Sequence, residues 1–398
     1  MTMNDDVILE ILSHCPSTEI RKFRLLNKEC NKRSYESSFI NLHLKKTNSV
    51  FGYFIHYDER SLKNRSRFVS GVEEKQEKTQ ISLEFLPPNN AKIEACDTNH
   101  GILLCVDDKF KGRRRIPDYI VCKPATKEYR IIPNPKTRFF TFATGLMVVS
   151  SNPFRYKIVR VSEPKKGVTK KGFYNHHCEV FDSDSFAWKR LKNLETPEIF
   201  PRGVKPVSAY GCLHWLTEKN NVIRFSMRTE TWSIFPVPDD FTCNNVLILV
   251  NYEGKLGVIH SNSTEESDLW VLEKSFGTSW VKVKDRKITA LEDTYAKPVW
   301  FLSNDVVSLA GKDRLGLYNM NSNNCRYLHK KKSFYPYQDS ARNYFIPFYS
   351  NYERVGLNKD KKKMNIYKAS QHGLGSNLII VLLIVVCFSF LSYMNRFY

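Results

Sequence analysis

Apolar residues in the first forty positions recur at steps of three and four. Two series show this spacing, Val7, Ile8, Ile11 and Leu12, and then Ile20, Phe23, Leu26 and Cys30. The spacing predicts two short amphipathic helices. Pro16 ends the first of them, because proline lacks a backbone N–H and clashes with the preceding turn. Two short helices cannot bury both apolar faces by themselves, so we expect another chain or the rest of this one to cover them.

From about residue 50 to residue 345 the apolar runs are short, aromatic and β-branched, which is typical of strands. One unit recurs, in which an apolar strand and a polar turn precede a strand that carries an aromatic residue. The aromatic residues of four successive units, Trp188, Trp232, Trp280 and Tyr327, are 44, 48 and 47 residues apart. A multi-strand repeat of about 40–50 residues indicates a β-propeller, here of five to seven blades. An irregular pair of β-sheets is the alternative.

The C-terminal pattern differs again, because Gly373 to Asn395 contains no charged residue. The central apolar run includes Leu378, Ile379, Ile380, Val381, Leu382, Leu383, Ile384, Val385 and Val386. Ser376 to Met394 supplies 19 residues, and a spanning helix needs roughly 17–25 mostly apolar ones. Lysines precede this segment, which predicts a single-pass tail anchor with the preceding chain in the cytosol. A buried C-terminal strand or helix is the alternative.

The charge and the cysteine content indicate which binding partners and which cellular compartment suit the chain. The net charge is +20, and residues 328–368 hold ten basic residues against three acidic ones. The positive electrostatic field of such a segment attracts acidic proteins, nucleic acid or anionic lipid. The sequence contains no motif that resembles a module for recognising nucleic-acid bases, so we do not expect nucleic-acid binding. The ten cysteines are irregularly spaced and form no C-x-x-C pair. They fit buried thiols in a reducing compartment.

The N-terminal residues resemble an F-box. The resemblance is carried by Asp6-Val7-Ile8-Leu9-Glu10-Ile11-Leu12, Pro16, Arg21-Lys22-Phe23-Arg24 and Lys28, and by the ending Ser38-Phe39-Ile40-Asn41-Leu42-His43-Leu44. Met3-Asn4 stand where the family has Leu-Pro, and Cys30 replaces its tryptophan. The resemblance implies that the helices bind the Skp adaptor protein and, through it, a cullin. Val7, Ile8, Ile11, Leu12, Pro16 and Phe23 are then expected to form the adaptor contact or the core that supports it.

The repeat region resembles the F-box-associated, kelch-like domain of plant F-box proteins. Gly101–Cys105, Lys123–Pro133 and Tyr210–Leu216 occupy the places of that domain's characteristic elements. We therefore predict an α+β multidomain chain in which a small helical F-box precedes an all-β, kelch-like β-propeller and a C-terminal hydrophobic helix. The predicted divisions are an F-box at 1–46, a β-propeller-like domain at 47–345, a basic linker at 346–372 and a membrane anchor at 373–395.

No motif for phosphate, dinucleotide, zinc or serine-nucleophile chemistry occurs in the sequence. His176-His177-Cys178 could ligate zinc, but no second pair of ligands lies at the usual spacing. Cys212 and His214 face the same side of a strand, and a role as nucleophile and base would require that the tertiary structure bring them into contact. We expect no cofactor, no metal and no catalysis by this chain.

The predicted function is that of a substrate-recognition subunit of a Skp–cullin–F-box ubiquitin ligase, with an unidentified protein substrate. The alternative is a membrane-tethered propeller scaffold with a degenerate F-box and no ligase role. If the tail inserts, we expect the chain at the cytoplasmic face of an intracellular membrane, and otherwise in the cytoplasm or nucleus.

Overall fold

The architecture was established from a computed structural model of the chain. It describes residues 5–15, 20, 24, 28–47, 49–57, 65–71, 81–87, 91–111, 114–163, 173–201, 204–238, 246–261, 266–289, 296–311, 314–330 and 343–357. The chain divides into two units, residues 1–355 and 356–398, and of the second only Gly356 and Leu357 are described. The predicted helix at 373–395, with its anchor residues 378–386, therefore lies outside the described residues.

Three helices precede the β-structure in the described part of the chain. They are α1 Asp5–Ser13, α2 Lys28–Arg33 and α3 Ser37–Lys46. We call these helices, with Ile20 and Arg24, the helical module. Its own core is small and consists of Leu9, Leu12, Ile20 and Phe39. No helix among the described ranges has both the length and the apolar content to cross a bilayer.

The β-structure is a six-bladed propeller, which confirms the propeller prediction. Blade I contains β1 Val50–Tyr57, β2 Arg65–Ser70 and β24 Asn343–Ser350; blade II contains β3 Lys92–Asp97, β4 Ile102–Lys111, β5 Arg114–Lys123 and β6 Glu128–Ile132; blade III contains β7 Phe140–Ser151, β8 Phe154–Glu163, β9 Tyr174–Asp182 and β10 Ala187–Arg190, with β11 Leu194–Thr196 beside β9. Blade IV contains β12 Val207–Ala209, β13 Cys212–Leu216, β14 Asn221–Ser226 and β15 Thr231–Pro236; blade V contains β16 Val246–Tyr252, β17 Lys255–Ser261, β18 Glu266–Leu272 and β19 Trp280–Thr289; blade VI contains β20 Lys297–Phe301, β21 Val306–Ala310, β22 Arg314–Asn319 and β23 Asn324–Lys330.

The middle strands of a blade are covered on both faces by the neighbouring blades. Ile102 to Cys105 in β4 are fully buried, and β14 is buried from Val222 to Ser226. Such strands read in the sequence as continuous apolar runs rather than as alternating ones. Outer strands have an exposed side, and β15 accordingly shows mostly exposed positions. The position of a strand in its blade thus determines its hydrophobic pattern.

The periodic aromatic residues all lie on outer strands. Trp188, Trp232, Trp280 and Tyr327 belong to β10, β15, β19 and β23. Two of them connect neighbouring blades, because Trp188 Nε1 donates to the carbonyl of Pro133 at 2.6 Å and Trp280 Nε1 donates to that of Pro236 at 3.1 Å. The residue before the outer strand has a left-handed backbone in four blades, at Lys127, Phe186, Glu230 and Asn323. The blades therefore repeat both an aromatic side chain and a left-handed backbone conformation before the outer strand.

The ring is closed by pairing the two ends of the propeller. β24 lies antiparallel to β1, from Val50 opposite Ser350 to Tyr57 opposite Asn343. Phe348 of β24 is fully buried and contacts Phe54 and Phe68, with ring centroids 5.1 and 5.8 Å apart. Residue 345, where the sequence placed the end of the β domain, lies inside this strand. Closure removes a free sheet edge that could otherwise pair with another chain.

Candidate functional site

The first helix has both a buried and an exposed apolar side. Leu9 and Leu12 are 8% and 1% exposed and belong to the core of the helical module, whereas Val7 and Ile11 are 49% and 52% exposed. Ile8 is partly buried against the same core. Val7 and Ile11 are four residues apart on one helix and are therefore neighbours on its surface. Such a pair is the kind of anchor that an amphipathic helix presents to a groove on another protein.

Four of the six residues predicted to form the adaptor contact or its supporting core are described, and they lie in different environments. Val7 and Ile11 are exposed, Leu12 supports the core, and Ile8 lies between these two environments. Pro16 and Phe23 lie outside the described residues. Helical spacing in the sequence could not separate Leu12 from Ile11, because α3, which supplies Phe39 to the core, does not follow from that spacing.

The helical module is fixed to one side of the propeller. The backbone N–H of Asn304 donates to the carbonyl of Tyr35 at 2.9 Å. A Cβ atom at Gly254 would lie 2.7 Å from the Tyr35 hydroxyl, and Gly254 also has a left-handed backbone, so only glycine suits this close approach. Asn304 and Gly254 both lie in turns that join the first and second strands of a blade. We call the side formed by these turns the module face and the opposite side the far face.

His43 of α3 connects the module to the closing strand. Its Nε2 is 2.9 Å from the carbonyl of Cys15, and its Nδ1 is 3.1 Å from the Tyr349 hydroxyl. Burial lowers the pKa of His43, which favours the neutral imidazole. A neutral ring satisfies both contacts when Nε2–H donates to the carbonyl and Nδ1 accepts from the phenol. The junction is thus a specific polar contact as well as an apolar one.

A cavity of about 400 Å³ lies between the helical module and the centre of the propeller. Its walls come from α3 and from the inner strands, and they are mainly apolar with a few polar groups, among them Asp97, Lys205 and Asn251. Asp97 accepts a hydrogen bond from the Val148 N–H at 2.7 Å and contacts His100 at 2.9 Å. These contacts give Asp97 a structural role in joining blades II and III.

The histidines and cysteines that were candidates for zinc binding or catalysis lie in buried surroundings, which shift their pKa values. His176 Nε2 is 3.1 Å from the Thr196 hydroxyl, and burial lowers the pKa of His176 to about 4. Burial raises the pKa of Cys178 to about 12 and lowers that of His214 to about 3. A thiol that stays protonated is a poor nucleophile. Within the described ranges no three His, Cys, Asp or Glu side chains are grouped closely enough to hold a metal ion.

A buried ion pair in blade III is a feature that sequence reasoning missed. Arg160 is 2% exposed and donates from Nη1 to Glu179 at 2.7 Å. The guanidinium also donates to the Phe139 carbonyl at 2.6 Å and to the Thr141 hydroxyl at 2.9 Å. Because Arg160 and Glu179 occupy neighbouring strands 19 residues apart, only the strand register brings them together. The pair fixes the chain where it enters blade III.

The propeller resembles a domain of known proteins. A family model described as "F-box associated beta propeller domain" matches residues 45–297. The chain belongs to the F-box proteins with an F-box-associated propeller domain. F-box protein At5g41720 of Arabidopsis thaliana is 66% identical over 179 residues, which are 44% of this chain and 95% of that protein. F-box protein At5g49610 of Arabidopsis thaliana is 24% identical over 291 residues, 67% of this chain and 73% of that protein. The resemblance drawn from the sequence is thereby confirmed.

Proposed function

We propose that this F-box protein is the substrate-receptor subunit of a Skp–cullin–F-box ubiquitin ligase. The observation that carries the proposal is the exposed apolar pair Val7 and Ile11 on a helix whose other side is already buried. Apolar side chains left exposed at helical spacing suit insertion into a groove of the adaptor. Membership of the F-box family supports the same partner.

In this proposal the chain positions the substrate next to the ubiquitin-charged enzyme and does not itself catalyse ubiquitin transfer. The helical module holds the adaptor and the propeller holds the substrate, so that a ubiquitin-charged enzyme acts on a nearby lysine at a high effective concentration. The polar junction through His43, Tyr349 and Asn304 keeps the two binding surfaces in one orientation. A rigid receptor of this kind needs no catalytic residue of its own.

Co-purification with the Skp adaptor tests the proposal. The informative variant is Val7→Asp with Ile11→Asp, because both side chains are exposed and their replacement should leave the module folded. Leu12→Asp is unsuitable, since Leu12 is 1% exposed and a buried charge unfolds the core instead of testing the contact. Val281→Asp is the matched control, as Val281 is 53% exposed on an outer strand.

The expected result is a loss of at least about tenfold in adaptor recovery for the Val7→Asp, Ile11→Asp variant, as for hot-spot residues in other interfaces. The control should retain wild-type recovery. Equal recovery of the adaptor by all three proteins, or none by the wild type, would reject the ligase role.

We further propose, from the sequence alone, that residues 373–395 anchor the protein to the cytoplasmic face of an intracellular membrane. The support is a charge-free segment long enough to span a bilayer. Carbonate extraction of membranes should leave the full chain in the pellet and release a chain that ends at Ala369. Release of both forms would refute the anchor and favour the cytoplasm or nucleus.

A further inference from the structure

The cavity between the helical module and the centre of the propeller has a size typical of small-molecule sites. It measures about 400 Å³, and pockets of roughly 300–1,000 Å³ with mainly apolar walls and a few polar groups hold most small ligands. Phe39 and Ile40 of α3 form part of one side, and Val207, Val299 and Phe345 of the propeller form part of the other. A molecule in this cavity would therefore contact both parts of the chain.

The charged residues of the cavity wall are unevenly distributed. The innermost strands β3, β12 and β16 run toward the module face, so Asp97 at the end of β3 and Glu253 after β16 lie at the module end of the cavity. Arg24 of the helical module lines the same end. Lys205 precedes β12 and therefore lies at the opposite, inner end. Among the described residues that line the cavity, Lys205 is the one charged group at the inner end.

The charges at the module end already have partners within the chain. Asp97 joins blades II and III through the contacts described above. Arg24 donates to the hydroxyl of Ser34 at 2.7 Å and to its carbonyl at 3.1 Å, and the guanidinium lies 3.9 Å from the centre of the Tyr35 ring. Glu253 likewise interacts within the chain. No ligand is needed to compensate these groups.

Lys205 has a less complete set of partners. Its ammonium donates to the carbonyl of Glu94, and its other N–H groups have no acceptor in the described part of the chain. The nearby Glu94 carboxylate and Lys92 ammonium affect it in opposite directions. Although water reaches Lys205, desolvation by the surrounding protein lowers its pKa. An anionic ligand would offset this effect, because it stabilises the charged form.

We propose that this cavity binds a small monocarboxylic acid, whose carboxylate contacts the Lys205 ammonium and whose apolar body lies between α3 and the innermost strands. A charge-assisted hydrogen bond would orient the molecule, and burial of its apolar body would supply affinity. A single ammonium suits a single negative charge, which favours a carboxylate over a phosphate monoester with its charge of about −1.5 to −2. The inference goes beyond the ligase role and does not depend on it.

Isothermal titration calorimetry of the full chain with ω-phenylhexanoic acid tests the proposal. ω-Phenylhexanamide has the same apolar body without the charge, and acetate has the charge without the body. The site variants are Lys205→Met, Lys205→Arg and Val299→Trp, the last of which fills the apolar part of the cavity. The matched controls are Lys274→Met and Val281→Trp, because Lys274 is exposed in the β18–β19 turn and Val281 is 53% exposed on an outer strand.

We expect Lys205→Met to weaken binding of the acid at least about tenfold and to leave that of the amide within about twofold, since only the acid forms the charge-assisted bond. Lys205→Arg, which keeps the charge, should retain most of the affinity for the acid. Val299→Trp should weaken acid and amide alike by about tenfold, because it removes the space for the body they share. The controls should change either affinity less than about twofold, and acetate should bind at least about tenfold more weakly than the acid.

Hydrogen exchange locates the bound acid, which should slow exchange in α3 of the wild type and not in Val299→Trp. Failure of the wild type to bind the acid, equal affinity for acid and amide, or equal weakening by Lys205→Met and Lys274→Met would each overturn the proposal. So would tighter binding of a glycine-rich peptide that ends in phenylalanine with a free carboxylate, because the site would then hold a polypeptide end. Adaptor co-purification on the same samples reports on the ligase role separately.

Discussion

The helical module and the propeller differ in how completely they bury their apolar side chains. The module has a core of four described residues and leaves Val7 and Ile11 half exposed. The propeller covers each blade with the next and joins its first and last strands, so that its middle strands are buried on both sides. A closed ring completes its own burial, whereas a module of short helices needs other surfaces to cover its apolar side chains. For this reason we place the proposed adaptor contact on the module.

The two ends of the propeller differ in a similar way. The module face is occupied by α3 and by the polar contacts of Tyr35 and His43. At the far face, Phe140 at the start of blade III is 61% exposed. The module face thus joins two parts of this chain through specific contacts.

Breaking the closure should have the largest effect on stability. Phe348→Ala removes a fully buried ring from the closing strand, and comparable substitutions cost about 3–5 kcal/mol. Chemical denaturation should show this loss, while Phe276→Ala, at an exposed turn position, should stay within about 0.5 kcal/mol of wild type. A small effect of Phe348→Ala would mean that the ring does not depend on joining its two ends.

Acid should weaken the propeller through buried histidines. Burial lowers the pKa of His176 to about 4 and of His214 to about 3, below the unfolded value of about 6.5. The unfolded chain therefore binds these protons first, so stability is complete above pH 6.5 and falls as the pH decreases toward 4. Each histidine should contribute about 1 kcal/mol per pH unit in this window.

Denaturation at several pH values measures this dependence. The variant His176→Gln with His214→Gln should show a flatter profile between pH 6.5 and 4 than wild type. An unchanged slope would assign the acid sensitivity to other groups, such as His43 at the junction, whose pKa is also lowered by burial.

The smallest effect is expected at the junction between the two regions. Tyr349→Phe removes the hydroxyl that contacts His43 at 3.1 Å, and one such hydrogen bond contributes about 0.5–1.5 kcal/mol. Hydrogen exchange should accelerate in α3 but not in β14 of the propeller interior. Equal acceleration in both would show that the module and the propeller open together, contrary to the distinction drawn above.

Local chemistry in the sequence determined the parts of this protein. The steps of three and four among Val7, Ile8, Ile11 and Leu12, and the aromatic spacing from Trp188 to Tyr327, predict amphipathic helices and a multi-strand repeat because each depends only on nearby residues. They led to the propeller, whereas the family followed from the resemblance of residues 6–44 to an F-box and of the repeat region to its associated domain.

The tertiary structure decided how these parts meet. The pairing of β24 with β1 joins residues about 290 positions apart, and α3 determines which of Ile11 and Leu12 is buried. The contact between Arg160 and Glu179 likewise depends on the strand register. Hydrophobic periodicity reports which side of one element avoids water, but it carries no information about which distant element covers that side.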